Sequence, residues 1–286
     1  MTKIAFVGYR KWGYEIYEGL LEFQKSYPHF SLDVVITSPN SEFENAKKIK
    51  KYYVVDGNNN VKIYDLLKEN EIDIVVCYSW SWIVKEPITS DFICLCLHPA
   101  PVPKYRGGTP IQHQILAGET KSAVSIFRMS SGVDDGPLYS QTPISFEGDI
   151  EDIFHRMVTV GISKTRSLIK DYNKGRLKFV PQKNLDTNSP WKRRKPEQSE
   201  LTFDQLAAMT FRQLHNFVRA LTGPYPHAYI RLKTGRLYLL SVARSSVSRD
   251  VLNFDNRVYT GKKIILKLKD SSAQVTRFAF EPLKKN

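Results

Sequence analysis

Residues 92–112 read FICLCLHPAPVPKYRGGTPIQ and contain both a strand and the loop that leaves it. The apolar run at 92–97 predicts a buried strand, and His98 follows it directly. The loop at 98–108 then contains three prolines, which fix its backbone, and two adjacent glycines, which permit unusual backbone conformations. A packed core needs neither feature, so this composition is typical of a functional loop. Because open α/β sheets place ligands at the carboxyl ends of their strands, we expect a functional site in this loop.

The same alternation of apolar strands and helices precedes this stretch. Apolar runs predict strands at 4–7, 32–36 and 72–77, and helical spacing predicts helices at 12–26, 42–51 and 61–69. Near-continuous apolar strands separated by helices are typical of a parallel sheet that is covered on both faces. The turn after the first strand reads GYRKWG rather than GxGxxG, so it gives little support to a dinucleotide site.

The second half of the chain changes character twice. Helices are predicted at 109–116, 149–172 and about 211–221, with strands at 123–128, 138–146, 228–232, 237–242, 264–268 and 275–280. A polar, proline-rich stretch at 179–200 reads as a linker, and short strands without intervening helices after it indicate a small barrel or sandwich. We therefore predict an α/β catalytic domain at 1–178 with a Rossmann-like, mainly parallel sheet and helices on both faces. A small β-rich, OB-like domain at 201–286 follows the linker.

Composition narrows the class of protein. The 286 residues are 42% hydrophobic and 25% charged, as expected of a globular chain, and no run of 18 apolar residues predicts a membrane helix. The start, MTKIAFVGYR, lacks the layout of a signal peptide, so we expect a cytoplasmic protein. Cys77, Cys94 and Cys96 lie in apolar runs without neighbouring histidine or carboxylate ligands. They indicate thiols of a reducing compartment, and we expect no metal.

The formal net charge of +13 favours an anionic partner. Nucleic acid, a nucleotide-linked substrate and a polyanionic cofactor all fit, and so does a basic surface that is simply solvated. The charge is densest at 47–51, at 191–195 and in the stretch that starts at Gly261.

His98 and Asp134 are the candidate chemical groups. A histidine at the end of a strand beside an open loop suits a general base, although it could also pack the loop. Asp134 lies in the segment FRMSSGVDDG at 127–136, about one strand–helix unit later. Its carboxylate could orient the imidazole and stabilise the imidazolium, or it could be an ordinary turn residue, and spacing alone leaves both readings open.

Taken together, these motifs resemble the formyltransferase family. The resemblance rests on HPAPVPKYRGGTPIQ at 98–112, ILAGE at 115–119, FRM at 127–129 and the following Asp-Asp-Gly. It continues in RRKPEQSE at 193–200, LHNFVRAL at 214–221 and PYPHA at 224–228, and so covers about residues 3–245. The family uses N10-formyltetrahydrofolate and includes methionyl-tRNA formyltransferases and nucleotide-sugar N-formyltransferases, of which the latter are more similar.

The resemblance implies an Asn-His-Asp constellation, in which His98 is the base and Asp134 orients it. The family asparagine lies two residues before the histidine, where this chain has Cys96. An asparagine amide there would donate to the oxyanion that develops at the formyl carbon, whereas a thiol is a poor donor. Cys96 therefore implies a slower enzyme, a donor from elsewhere, an altered activity or an engineered change.

The resemblance also assigns ligand contacts. The folate pteridine is expected beside YSWSWIV at 78–84 and the turn at 130–136, and the implied folate-binding residues are Tyr78, Trp80, Trp82, Ile83, Arg106, Gly132 and Val133. Lys104, Tyr105 and Gly107 are implied to contact the acceptor substrate. The two tryptophans could equally belong to the core, and Arg106 could support the loop instead of touching a ligand.

Two acceptor amines compete. The HPAP loop, the neutral to acidic stretch SPNSEFENA at 38–46 and the short C-terminal domain favour a nucleotide-linked amino sugar, as in lipopolysaccharide biosynthesis. The charge of +13 and the basic C-terminal region favour methionyl-tRNA as the alternative. A third hypothesis is a catalytically impaired homologue that binds folate or nucleotide without turnover. By analogy with the family, a homodimer through the C-terminal strands is possible.

Overall fold

The computed structural model describes residues 1–43, 51–185, 190–246, 258–260 and 263–282. Contacts divide the chain into two compact units. The first unit comprises Met1–Pro110, Lys121–Ser145 and Glu151–Trp191, and the second comprises Ile111–Thr120, Phe146–Ile150 and Lys192–Asn286. Each unit is thus assembled from several segments, and the continuous domain bounds expected from the sequence stay a prediction.

Seven strands in the described part of the chain form the sheet of the first unit. They are β1 (Thr2–Val7), β2 (Phe30–Thr37), β3 (Lys51–Val54), β4 (Ile74–Cys77), β5 (Ile93–His98), β6 (Lys121–Arg128) and β7 (Leu138–Ser145), in the order β3-β2-β1-β4-β5-β6-β7. The five strands from β3 to β5 are parallel, and β6 and β7 are antiparallel. This arrangement confirms the predicted mainly parallel sheet.

Five helices accompany these strands along the described chain. They are α1 (Lys11–Ser26), α2 (Asn60–Glu69), α3 (Ile88–Asp91), α4 (Pro110–Leu116) and α5 (Ile150–Asn173). In α1 the apolar residues recur at helical spacing, and Ile16, Leu20 and Phe23 are buried. The strands β1 and β4 are apolar along almost their whole length, which is why they lie in the centre of the sheet with both faces buried.

One predicted helix does not match the structure at its end. Residues 44–50 of the helix expected at 42–51 lie outside the described residues, but Lys51 begins β3 and pairs with Val34 of β2. The run KYYV is rich in aromatic and β-branched residues, and this propensity for strand prevails over the polar periodicity that suggested a helix.

The second unit contains a five-stranded antiparallel sheet within the described residues. Besides residues 111–116 of α4, it contains the helices α6 (Phe203–Ala208) and α7 (Phe211–Ala220). Its strands are β8 (Ala228–Leu232), β9 (Gly235–Arg244), β10 (Val258–Thr260), β11 (Ile264–Lys267) and β12 (Ser272–Pro282). The order is β10-β11-β12-β9-β8. Thr202 and Thr210 begin the two helices with capping boxes. The unit confirms the predicted C-terminal β-rich fold, although β10 was missed because it is only three residues long.

Among the residues described, no helix is both long and apolar enough to cross a membrane.

A buried hydrogen bond joins the end of β4 to α5. The hydroxyl of Tyr78, a side chain with no exposed surface, lies 2.9 Å from Oγ1 of Thr165, which is also fully buried. Each hydroxyl is the hydrogen-bond partner of the other where neither side chain reaches solvent, and burial raises the pKa of Tyr78.

We therefore expect Thr165→Val to lower the free energy of unfolding by about 1–3 kcal/mol, because it leaves the Tyr78 hydroxyl buried without a partner. Adding Tyr78→Phe should recover part of this loss, since no polar atom then stays unpaired. Urea denaturation of the single and double variants measures the difference. A double variant less stable than Thr165→Val would contradict this account.

Candidate active site

The loop after β5 is fixed to the neighbouring strands. His98 is the last residue of β5 and pairs with Ser125 of β6. The Ser125 hydroxyl donates to the carbonyl of Ala100 at 2.6 Å, and the Gln141 amide of β7 donates to the carbonyl of Val102 at 2.9 Å. Polar side chains of two strands thus hold the prolines that follow His98, and the loop leaves the sheet in one defined direction.

The structure brings His98 and Asp134 together. Nδ1 of His98 lies 3.4 Å from Oδ2 of Asp134, and the two side chains are 7% and 19% exposed. The same carboxylate oxygen accepts the backbone N–H of Gly107 at 2.8 Å. Asp134 therefore joins the histidine to the middle of its own loop, and the exclusion of water strengthens both contacts.

The other ring nitrogen of His98 faces the loop backbone. Nε2 lies 2.8 Å from the carbonyl oxygen of Tyr105, and since a carbonyl can only accept, Nε2 carries a hydrogen in this arrangement. Tyr105 has a φ of +58°, in the left-handed region that a tyrosine rarely adopts. The carbonyl is thus turned toward the imidazole by a local backbone conformation that costs energy.

The turn that carries Asp134 is itself held from two sides. Asp134 has a φ of +50°, and its carbonyl accepts the side-chain amide of Gln182 at 3.0 Å. The same amide donates to the carbonyl of Gly136 at 2.8 Å. A Cβ on Gly132 would lie 1.8 Å from Oδ2 of Asp135, so a larger residue there would displace that carboxylate. These contacts fix the orientation of the Asp134 carboxylate.

Trp191, in the stretch expected to be a linker, also holds the loop that follows His98. Its backbone N–H donates to the carbonyl of Arg106 at 2.7 Å, and its carbonyl accepts from Gly108 at 2.8 Å. Its ring stacks on Tyr105 with centroids 5.9 Å apart. Gly107 has a φ of +94°, and a Cβ there would lie 2.3 Å from the Trp191 carbonyl, so only glycine allows this approach.

Sequence reasoning missed both Gln182 and Trp191 as parts of the site. They lie in a polar, proline-rich stretch whose composition reads as a connector, and no motif marks them. Residues 179–185 and 190–191 instead belong to the first unit, where Val180 exchanges two backbone hydrogen bonds with Leu138.

Arg106 supports the loop in this structure. The side chain is buried, and its guanidinium lies 3.4 Å from the carbonyl oxygens of Val133 and Leu185. It therefore spans from the histidine loop to the turn of Asp134 and to the segment of Gln182. Lys104, in the same loop, is exposed to solvent.

Cys96 lies at the same end of the sheet. It pairs with Cys77 across β4 and β5, and it keeps partial exposure, whereas Cys77 and Cys94 are buried. Burial raises the pKa of the Cys96 thiol well above its usual range, and the negative charge of Asp134 raises it further. The thiol is therefore protonated at neutral pH and is a weak nucleophile.

An aromatic cluster follows β4 beside these residues. The ring centroids of Trp80 and Trp82 lie 4.8 Å apart. The ring centroid of Tyr9 lies 6.3 Å from that of Trp80 and 5.2 Å from that of Trp82. The indole nitrogen of Trp80 is buried and has no hydrogen-bond partner among the described residues. A buried donor without a partner is costly, so this N–H fits a polar acceptor supplied by a ligand.

The predicted folate-binding residues differ in the solvent exposure of their side chains. The Tyr78 side chain is in the core, which leaves its main chain for a ligand. Ile83 and Val133 are 64% and 42% exposed, and Gly132 is exposed as well. No group of three or more histidine, cysteine or acidic side chains that could hold a metal occurs among the described residues.

Family models match both parts of the chain. Residues 35–162 match the model described as formyl transferase, and residues 194–277 match the formyl transferase C-terminal domain. The chain belongs to the formyltransferase family. Family membership makes it an N-formyltransferase, as the resemblance of the loop and turn motifs implied.

Relatives of this formyltransferase differ in their acceptors. It is 27% identical to methionyl-tRNA formyltransferase of Streptococcus uberis, over 84% of this chain and 80% of that protein. The solved methionyl-tRNA formyltransferase from Clostridium thermocellum has a similar fold, with a TM-score of 0.68, 20% identity and coverage of 99% and 100%. The N-formyltransferase from Helicobacter canadensis, in complex with folinic acid and dTDP-3-aminofucose, also has a TM-score of 0.68, with 15% identity and coverage of 98% and 100%.

The electrostatic effect of Asp134 on Cys96 predicts a measurable change in thiol reactivity. Because the carboxylate charge raises the pKa of Cys96, Asp134→Asn should lower it and shift the pH profile of Cys96 alkylation by iodoacetamide downward. Mass spectrometry of the Cys96 peptide gives the rate at each pH. The matched control is Asp135→Asn, which removes a neighbouring carboxylate that is bonded to Ser130. Equal profiles for the two variants would contradict the assignment.

Proposed function

We propose that this protein transfers the formyl group of N10-formyltetrahydrofolate to the amine of a nucleotide-linked amino sugar. The observation that supports the chemistry is the contact of His98 with Asp134, 3.4 Å apart and largely shielded from water at the carboxyl end of β5. A shielded histidine–carboxylate pair beside an open loop suits proton removal from an attacking amine.

In the proposed mechanism, the acceptor amine attacks the formyl carbon and forms the new C–N bond. The bond from that carbon to N10 of the folate breaks, and N10 takes up a proton. His98 accepts the proton that the amine loses, and Asp134 orients the ring through Nδ1. For this step the ring must be neutral with its hydrogen on Nδ1, facing Asp134. The Nε2 hydrogen therefore leaves to solvent, and Nε2 exchanges the Tyr105 carbonyl for the substrate amine or a water before it accepts the proton.

The donor is proposed to lie beside the aromatic cluster and the turn of Asp134. The unpartnered Trp80 N–H, the surfaces of Trp80 and Trp82 and the exposed side chains of Ile83 and Val133 suit a flat heteroaromatic ring with polar edges. When bound, the folate supplies the activated formyl group. On this proposal Gly132 lines the pocket and Arg106 holds its wall.

The acceptor amine is proposed to enter over the loop of Lys104, Tyr105 and Gly107. An exposed lysine at this position suits a pyrophosphate group. The complex of the H. canadensis enzyme with dTDP-3-aminofucose shows that a chain of this fold and length binds such a substrate. Methionyl-tRNA is the second candidate acceptor, favoured by the names of the sequence relatives and by the net charge of +13.

His98→Gln tests the proposed base. It should lower kcat/KM for formyl transfer by about 10²–10⁴, because glutamine cannot accept a proton from the amine. Binding of folinic acid, measured by calorimetry, should be unchanged, which separates loss of chemistry from loss of the site. Transfer at the wild-type rate would exclude His98 as the base.

Cys96→Asn tests whether the thiol limits the rate. An amide at this position would donate to the oxyanion at the formyl carbon, and one such donor contributes about 10²–10³ in rate in other enzymes. We expect kcat to rise with Asn and to change little with the matched variant Cys96→Ala. If both variants have the wild-type kcat, the donor comes from elsewhere in the site.

The acceptor is identified by incubating the protein with N10-formyltetrahydrofolate and a panel of nucleotide-linked amino sugars, with charged methionyl-tRNA in parallel. Mass spectrometry detects the added formyl group. Product with a sugar supports the proposal, and product with methionyl-tRNA alone reverses the choice of acceptor. Folate binding without any product would favour the impaired homologue.

A further inference from the structure

One asparagine holds the end of the loop at 78–85, which carries the aromatic cluster. Asn60, the first residue of α2, donates from its side-chain amide to the carbonyl of Ile83 at 3.2 Å. The amide oxygen of the same side chain accepts the backbone N–H of Lys85 at 2.9 Å. A single side chain thus holds the backbone on both sides of Val84, which is buried, and fixes the direction in which the loop leaves the cluster.

The segment before α2 also contacts this loop, through the packing of Trp82. Gly57 is buried, and a Cβ there would lie 2.0 Å from Cδ2 of Trp82. The indole ring therefore lies directly against the backbone of this glycine, and any larger residue would push the ring away. Residues 57–60, which read GNNN, contact the loop twice, once through the Gly57 backbone and once through the Asn60 side chain.

The start of the loop is held by the residues that follow β1. The Ser79 hydroxyl accepts the backbone N–H groups of Tyr9 and Arg10, each at 3.3 Å. The hydroxyls of Tyr9 and Ser81 lie 2.7 Å apart. Ser79 has a φ of +62°, in the left-handed region that a serine adopts at a cost in energy. Contacts at both ends therefore maintain a loop conformation that the isolated segment would rarely adopt.

We propose that Asn60 is a positioning residue for the formyl donor, because it holds the loop at 78–85 in the conformation that receives the donor's heteroaromatic ring. The inference rests on the proposed donor site beside Trp80 and Trp82. A loop that is already ordered loses little conformational entropy when a ligand binds, so contacts made before binding strengthen the affinity. Both hydrogen bonds of Asn60 to the loop end on backbone atoms, so Asn60 acts on donor binding and not on proton transfer.

The two neighbouring asparagines have different contacts, which makes the assignment specific to Asn60. The side chain of Asn59 caps α2, since its Oδ1 accepts the backbone N–H of Lys62 at 3.0 Å. Asn58 is exposed and offers its backbone carbonyl to the Asn60 amide at 3.3 Å. Composition marks all three as residues that favour a helix start, yet one begins the helix and another reaches the loop.

Asn60→Ala tests the assignment, with Asn59→Ala as its matched control. Asn60→Ala should raise the dissociation constant of folinic acid about tenfold in calorimetry, because the loop must then be ordered when the ligand binds. In formyl transfer it should raise KM for the donor by the same factor at an unchanged kcat. Asn59→Ala removes the helix cap and should lower the midpoint of urea denaturation, yet it should bind folinic acid as tightly as wild type.

Gly57→Ala disturbs the same loop and leaves the Asn60 side chain intact. The added Cβ must displace the Trp82 ring, so folinic acid should again bind roughly tenfold more weakly. Wild-type affinity in this variant would show that the loop conformation does not matter for the donor and would overturn the proposal.

Two further results would also overturn it. One is wild-type affinity in Asn60→Ala, and the other is an equal loss of affinity in Asn59→Ala, which would trace the effect to the stability of α2. A wild-type protein that does not bind folinic acid would remove the proposed donor site together with this inference. Binding by the wild type with unchanged affinity in the variants removes the inference alone, so the two failures are distinguishable.

Discussion

The site depends on one carboxylate oxygen. Oδ2 of Asp134 accepts the Gly107 N–H and faces Nδ1 of His98, so it joins the strand end, the loop and the turn in one contact. The histidine loop would otherwise be a proline-stiffened segment with no fixed relation to its charged partner. Because water is largely excluded here, this carboxylate keeps Nδ1 turned toward itself and leaves Nε2 facing the carbonyl of Tyr105.

The rest of the first unit keeps that oxygen in place. The side-chain amide of Gln182 donates to two carbonyls of the turn that carries Asp134. The backbone of Trp191 forms two hydrogen bonds with the loop after His98. Both residues contact a turn or a loop that lies more than 40 positions earlier in the sequence. The segment that leads toward the C-terminal region therefore has a second role, since it completes the frame around His98 and Asp134.

Cys96 marks the point where this frame departs from the family pattern. The backbone and the histidine–aspartate contact agree with an N-formyltransferase, yet the position of the amide donor holds a protonated thiol. On the proposed mechanism, the pair that would remove the proton is therefore present, and one of the expected donors to the oxyanion is missing. Rate and acceptor preference can change at such a position while the fold stays the same.

The sequence by itself determined the fold class, and its resemblance to the family pointed to His98 and Asp134 as the candidate pair. Apolar runs at 72–77 and 92–97 predicted buried strands, and a histidine at the end of such a strand is expected at the edge of the sheet where loops converge. The motifs of the loop and the turn were distinctive enough to identify the family from the chain alone. The helix expected at 42–51 failed at Lys51, because local polar periodicity says nothing about the neighbouring strand that completes a ladder.

Only the tertiary structure decided how His98 and Asp134 are held together. Gln182, Trp191 and the Tyr105 carbonyl act through contacts between segments distant in sequence or through backbone atoms, and neither kind of contact leaves a residue pattern to read. Local sequence sets which helices and strands form, whereas the hydrogen bonds that hold the candidate site arise when distant segments of the chain meet.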